Sequence, residues 1–347
     1  SGLTAPTTSV VEVAASGTFG CAILLSDGSI TCWGTELPTV SNAMKPFRSL
    51  SASHGRICAI GSTGVVQCWG GTNAARENDV PASLGEVASV IAGLQVTCAM
   101  KSDGVVLCWG LGLAGRVWRF GGPRRFRLFD SRHSRLACGV DRDADEIVCE
   151  HHPSSLLRWG AGLNPLAVSR TVTKLTSSTP HGCALLSDNS ATCWSTNDAY
   201  GVCYIPTSLT NITDIASAFE HACALVPNGT VTCWGRSTRT ALPDPSRRFR
   251  RLIGGGAFHI CGEYADEAEE GRFVCWGDER GQQLPSAVVG NVVEELVPGH
   301  GLLCARSDTN STACWPRRIP RPSGAGARRK AGSGTPSRSS TGVPARG

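Results

Sequence analysis

Residues 21–34 read CAILLSDGSITCWG: two cysteines bracket a short apolar run and an Asp-Gly, and a Trp-Gly follows at once. Such a pair can be a metal clip, a redox site or a structural staple, and repetition along the chain decides among them. The pairs are Cys21 with Cys32, Cys58 with Cys68, Cys98 with Cys108 and Cys138 with Cys149 in the first half. Cys183 with Cys193, Cys223 with Cys233, Cys261 with Cys275 and Cys304 with Cys314 follow in the second. Trp follows the second cysteine in seven of the eight, and Glu150 replaces it in the fourth. Successive second cysteines lie 36 to 44 residues apart. A period near 40 marks one supersecondary unit repeated eight times.

Each unit repeats more than its cysteines. Two apolar residues three apart precede the first Cys, as in Val10 and Val13, Phe47 and Leu50, or Phe249 and Leu252. After the second Cys comes a Gly-rich polar connection ending in Pro, as at Pro38, Pro81 and Pro206. Every unit therefore reads as a strand, a β-hairpin and a loop. No segment sustains a 3.6-residue apolar period, so the fold class is all-β.

Hairpin geometry answers the opening question. In five units the cysteines are ten apart. A three-residue loop ending in a left-handed residue then falls on Gly64, Gly104, Asn189, Gly229 and Asn310, the residue types that tolerate that conformation. The loop places the two cysteines directly opposite each other, where Cα atoms are about 4.5 Å apart and a disulfide can form. No C-x-x-C occurs, which argues against both a metal clip and a redox motif. Trp, one residue on, faces the other side of the strand and serves as packing.

Bulk composition bounds the rest. The 347 residues carry a formal charge of +5, but Pro316 to Gly347 holds eight basic residues and no acid, leaving −3 for residues 1–315. A mildly acidic body argues against nucleic acid as its partner. The tail, 321–347, rich in Gly, Ser, Pro and Arg, is expected to be disordered, and residues 1–320 are expected to form one body of eight Cys-pair repeats. No apolar run reaches membrane-spanning length. The chain begins without Met or an apolar leader, so a signal peptide is expected to be removed or to lie upstream.

The motifs HACALVPNGTVTCWG (221–235), HGCALLSDNSATCWS (181–195) and WGDERGQQLP (276–285) resemble the repeat of the regulator of chromosome condensation family. The cysteine pairs are similar to those of the Crinkly-type receptor-like kinase ectodomains. The resemblance implies a β-propeller, with eight blades expected here and seven usual in the family. It also implies a non-catalytic extracellular or secretory-pathway module, a secreted protein or receptor ectodomain, binding a protein, peptide or glycan through its loops. Two other functions compete. One is guanine-nucleotide exchange on a small GTPase, which structural disulfides disfavour because they do not persist in reducing compartments. The other is inhibition of a secreted enzyme.

Candidate sites follow from residue type and place. Arg116, Arg119, Arg124, Arg125 and Arg127, then Arg247, Arg248, Arg250 and Arg251, form two clusters in segments between hairpins. These are solvated loop charge or a docking patch for an acidic partner or polysaccharide. Cys203 is the unpaired seventeenth cysteine, free or available to another chain. Asn211, Asn228 and Asn310 begin N-x-S/T triplets, possible glycosylation points on a secretory route. His181, His221 and His259 each lie two residues before a first Cys and read as packing residues in different blades. His151 and His152 carry a weak metal reading. No nucleophile elbow, zinc-protease motif or phosphate loop occurs, so no enzyme activity and no cofactor are expected.

Overall fold

The computed structural model describes residues 8–110, 116–131, 136–151, 170–178, 181–195, 198–236, 246–254, 259–266, 270–277, 293–299, 302–309 and 311–316. The tail 321–347, His152 and Asn310 lie outside them. Among the described residues every regular element is a strand, and no helix is long and apolar enough to cross a membrane.

The strands form eight antiparallel sheets in chain order. The first holds β1 (Val10–Ala15), β2 (Phe19–Leu24) and β3 (Ile30–Gly34), and the second β4 (Phe47–Ser53), β5 (Arg56–Gly61) and β6 (Val66–Gly70). The third has β7 (Ser89–Ala92), β8 (Val96–Met100), β9 (Val106–Gly110) and a short fourth strand, β10 (Trp118–Arg119). The fourth is β11 (Phe126–Asp130), β12 (Leu136–Asp141) and β13 (Ile147–His151); the fifth is β14 (Val172–Ser178), β15 (His181–Leu186) and β16 (Ala191–Ser195). β17 (Asp214–Ser217), β18 (His221–Leu225) and β19 (Val231–Gly235) make the sixth. The seventh holds β20 (Phe249–Ile253), β21 (His259–Tyr264) and β22 (Phe273–Gly277). The eighth is β23 (Val293–Pro298), β24 (Leu302–Ser307) and β25 (Thr312–Pro316).

In every sheet the two cysteines stand opposite each other in the register of the second and third strands. Each pair expected from the spacing is bonded. Cys21 joins Cys32, Cys58 joins Cys68, Cys98 joins Cys108 and Cys138 joins Cys149. Further on, Cys183 joins Cys193, Cys223 joins Cys233, Cys261 joins Cys275 and Cys304 joins Cys314. Their Cα atoms are 4.0–4.1 Å apart. The wider hairpins reach the same result: Cys138 with Cys149 and Cys261 with Cys275 are 11 and 14 residues apart, and the added length goes into the loop.

The short loops supply the register: Gly64, Gly104, Asn189 and Gly229 take φ of 83°, 88°, 63° and 79°. Their carbonyls have a second task. They accept the backbone N–H of Val87, Phe126, Ile212 and Phe249, so each hairpin loop aligns the start of the next sheet.

A bulge explains the apolar pair spaced by three. In a regular strand residues i and i+3 face opposite sides. In six sheets the register slips between the first apolar residue and the residue two further on, as between Val10 and Glu12 or Phe47 and Ser49. The extra residue turns both apolar side chains inward, and Val10 and Val13 are both buried.

Packing between sheets closes the series. Eight apolar clusters fill the eight junctions between successive sheets, and one of them joins the last sheet to the first through Leu302, Cys304 and Cys314 against Val10, Val13 and Trp33. The protein is an eight-bladed β-propeller. At six junctions the Trp of one sheet lies in the same cluster as the disulfide of the sheet before it. Trp109 packs with Cys58 and Cys68, Trp194 with Cys138 and Cys149, and Trp234 with Cys183 and Cys193. The indole Nε1 of Trp276 lies 3.3 Å from Cys223 Sγ. The fourth sheet, lacking Trp, fills its junction with Phe120 and Phe126, ring centroids 4.7 Å apart, over Cys98 and Cys108. Glu150 instead accepts the N–H of Gly121 at 3.1 Å.

Candidate binding site

Most of the arginines singled out from the sequence are committed to carboxylates. Arg124 pairs with Asp141 at 3.1 Å and Glu146 at 2.8 Å, Arg125 with Asp103 at 2.7 Å, and Arg127 with Asp145. Arg247 pairs with Asp266 at 3.3 Å and lies over the Tyr264 ring, while Arg250 and Arg251 both hold the buried Glu263. Arg248 donates to the carbonyls of Ser246 and Arg247. Arg116 and Arg119 are exposed, and Arg119 donates weakly to the Pro123 carbonyl at 3.4 Å. The acids lie 12 to 22 residues away, in the loops or strands of a hairpin, and that separation hides the pairing in the sequence.

The other candidates stay apart. Cys203 is free and half-buried, its N–H donating to the Asp198 carboxylate. Burial, helped by Asp198, pushes its thiol up to about 12, so little reactive thiolate forms near neutrality. His181 is buried beside Ser178 Oγ at 3.3 Å, and burial pushes its pKa down to about 4. It is neutral packing, in a different sheet from the buried His221 and from His259. Among the described residues no three metal-ligating side chains converge. Asn211 and Asn228 are exposed; Asn228 Oδ1 caps its loop by accepting the Thr230 N–H.

Sequence patterns give no sign of an open cleft across the ends of the first three sheets. It encloses about 830 Å³ and is lined by the β3–β4 connection, the β4–β5 turn, the segment after β6 and the β7–β8 turn. His54 and Gly55 form the two-residue β4–β5 turn with φ of 46° and 82°, the mirror-image turn that matches strand twist. Gly70, at φ 87°, lies so close to this turn that a Cβ would sit 2.6 Å from the Gly55 carbonyl oxygen, and only glycine fits. Glu36 is also left-handed, at φ 56°. The adjoining Leu37 side chain is half exposed.

Beneath the cleft, Arg56 clamps the second sheet to the third. It occupies the place held by His in later repeats, two residues before the first Cys. Its Nη1 donates to Thr97 Oγ1 at 2.6 Å and the Glu77 carbonyl at 3.2 Å. Nη2 donates to the carbonyls of Gly93 and Val96 at 2.7 and 2.6 Å. Thr97 Oγ1 and Trp109 Nε1 also donate to the Glu77 carbonyl, at 2.7 and 3.1 Å. Burial pushes the Arg56 pKa down to about 10, opposed by the Glu77 charge, so the guanidinium stays charged near pH 7. Asn78 Nδ2 ties the same loop to the Gly70 carbonyl at 2.6 Å. The cleft thus presents Leu37, Leu94 and Trp69 beside Glu36, Thr39, His54 and Gln95 on a braced floor. Apolar contact and directed polar groups on a rigid frame suit noncovalent recognition.

A second, smaller cavity of about 330 Å³ lies among the inner strands β1, β4, β7, β20 and β23. Glu12 and Glu295 are the charged residues in its lining. Burial first, then the nearby Glu295, pushes the Glu12 pKa up to about 7. Elsewhere on the inner strands Lys174 Nζ donates to Asp214 at 2.5 Å and to the Leu252 carbonyl, binding three sheets together.

The model of the regulator of chromosome condensation (RCC1) repeat matches residues 212–239, which contain the hairpin bridged by Cys223 and Cys233. No curated protein matches the sequence. The Crinkly WD40 ectodomain of the Arabidopsis thaliana receptor kinase ACR4 is similar in fold at 21% identity and a TM-score of 0.53, covering 90% of this chain and 99% of that one. The entire ectodomain of the Physcomitrella patens receptor kinase CR4 is also 21% identical, with a TM-score of 0.55 over 90% of this chain and 74% of that one. Prp20p of Saccharomyces cerevisiae, described with its binding to Gsp1p and histones, is 12% identical, with a TM-score of 0.56 over 86% and 91%. The chain carries a regulator of chromosome condensation repeat in a disulfide-stapled propeller, the fold it has in common with the Crinkly-type ectodomains.

Proposed function

We propose that this chain is a non-catalytic extracellular recognition module, a secreted protein or receptor ectodomain, whose cleft over the first three sheets binds a protein, peptide or glycan. The observation that carries the reading is the set of eight cross-strand disulfides, one per blade, in a propeller that carries a pre-formed cleft over its first three sheets. Such bridges persist where the medium is oxidising. The same bridges count against nucleotide exchange on an intracellular GTPase, although Prp20p has a similar fold. The arginine clusters support the cleft over a cationic patch, because most of their charge is met by carboxylates.

Two measurements test the reading. Thiol titration of the purified, unfolded protein is expected to count one thiol per chain, Cys203; a count near seventeen removes the extracellular assignment. Binding of glycan and peptide arrays is expected to be lost in Leu37→Asp and retained in Arg116→Ala. Binding lost in the Arg116 variant and retained in the Leu37 variant would move the site to the arginines.

A further inference from the structure

We propose that closure of the propeller is proton-linked: Glu12 of the first sheet and Glu295 of the last line one cavity at the closing seam, and loss of the Glu12 proton leaves two carboxylates sharing it. The seam has no covalent bond of its own, because the Cys21–Cys32 and Cys304–Cys314 bridges each lie within one sheet. It is held by the apolar cluster of Val10, Val13 and Trp33 against Leu302, Cys304 and Cys314. The two edges are close: a Cβ on Gly299 would sit 2.5 Å from the Ser16 carbonyl oxygen. A charge that pushes β1 from β23 therefore acts on the one junction that chain connectivity does not enforce.

The one cation whose field reaches Glu12, that of Arg306, is shared with two other carboxylates, and its effect is smaller than that of burial and of Glu295. Glu295 already receives Arg306 Nε at 3.2 Å, and the same guanidinium holds Glu294 at 2.9 Å. Arg48 of β4 donates to the Val87 carbonyl at 2.6 Å. β2 and β7 contribute no charge, and Arg250 and Arg251 of β20 are engaged by Glu263. Among the described residues, Glu12 itself receives hydrogen bonds from Ser49 Oγ at 3.4 Å and the Leu50 backbone. An ionised carboxyl there is half-buried and near a second one, with Arg306 too weak to offset the two, and holding a proton relieves both costs.

The direction follows from linkage. Glu12 has a folded pKa of about 7 against an ordinary value of 4.5. Its stabilising proton is fully in place below about pH 4.5 and is lost as pH rises through 7. That shift corresponds to a change on the order of 300-fold in the folded-to-unfolded ratio.

Thermal unfolding of the whole chain between pH 5 and 8, with the disulfides intact, tests the proposal in wild type, Glu12→Gln and Glu295→Gln. About 70-fold of that change falls between pH 5 and 8, so wild type is expected to lose about 4 °C more than Glu12→Gln over that range. Glu295→Gln is expected to fall in between, because burial acts on Glu12 more than its neighbour does. Hydrogen exchange on the wild type, corrected for intrinsic pH dependence, is expected to speed up at pH 8 in β1, β23 and β24 selectively. Equal pH slopes in wild type and Glu12→Gln overturn the proposal, as does exchange that rises evenly over all eight sheets.

Discussion

Replacing Arg56 tests the claim that a buried guanidinium, rather than apolar packing alone, braces the floor of the cleft. The side chain is 1% exposed and makes four hydrogen bonds to groups in or beside the third sheet. Arg56→Met keeps most of the volume and removes every donor. Three carbonyls and the Thr97 hydroxyl then lose a partner, and the buried Glu77 loses a nearby cation. Removing one member of such a buried charged set costs about 3–5 kcal/mol. With an unfolding entropy near 2.1 cal/mol/K per residue over about 300 residues, 4 kcal/mol lowers Tm by about 6 °C. Arg56→Lys keeps the charge but cannot span four acceptors with one ammonium, so an intermediate loss is expected. Calorimetry under non-reducing conditions reads both values. A Met variant within about 1 °C of wild type would refute the reasoning and reduce the clamp to filler.

Other consequences follow from single features. Replacing Cys58 and Cys68 together by Ser releases a loop of about ten residues and is expected to cost about 3 kcal/mol in denaturant unfolding, on the chain-entropy account; an unchanged midpoint would contradict it. Gly70→Ala forces a Cβ against the Gly55 carbonyl at a left-handed position, so the His54–Gly55 turn must shift; cleft binding is expected to fall while the far sheets keep their exchange protection. His181 has a folded pKa of about 4 against 6.5 ordinarily. Its contribution to stability is intact above about pH 6.5 and declines as pH falls toward 4; its imidazole proton shift in NMR should stay flat from pH 7 to 5. Cys203, with its thiol pushed up to about 12, is expected to react with a maleimide at pH 8 far more slowly than free cysteine does.

The blade was legible because its signals are local. Cys58 and Cys68 flank one turn, and Gly64 between them fixes the register that opposes them. The apolar pair Val10 and Val13 was visible but unexplained, since a bulge is a property of two paired strands and not of one. The substitution of Phe120 for a missing Trp was equally hidden, because the ring comes from a different segment than the residue it replaces. The carboxylate partners of the arginine clusters were hidden for a related reason. A cation's worth as a ligand site depends on whether an acid reaches it, and Asp141, Asp145 and Glu263 approach only when the hairpins fold.

Sequence alone set the repeat, the all-β class, the eight cysteine pairs and the place of the loop glycines, since each depends on residues within one hairpin and its neighbour. Tertiary structure alone decided which side chains seal the eighth sheet to the first, that Arg56 replaces a repeat histidine as an inter-blade clamp, and that a cleft opens over three sheets. Those features join residues from different blades, far apart along the chain. Their energies come from burial and charge pairing between blades, which no single repeat contains.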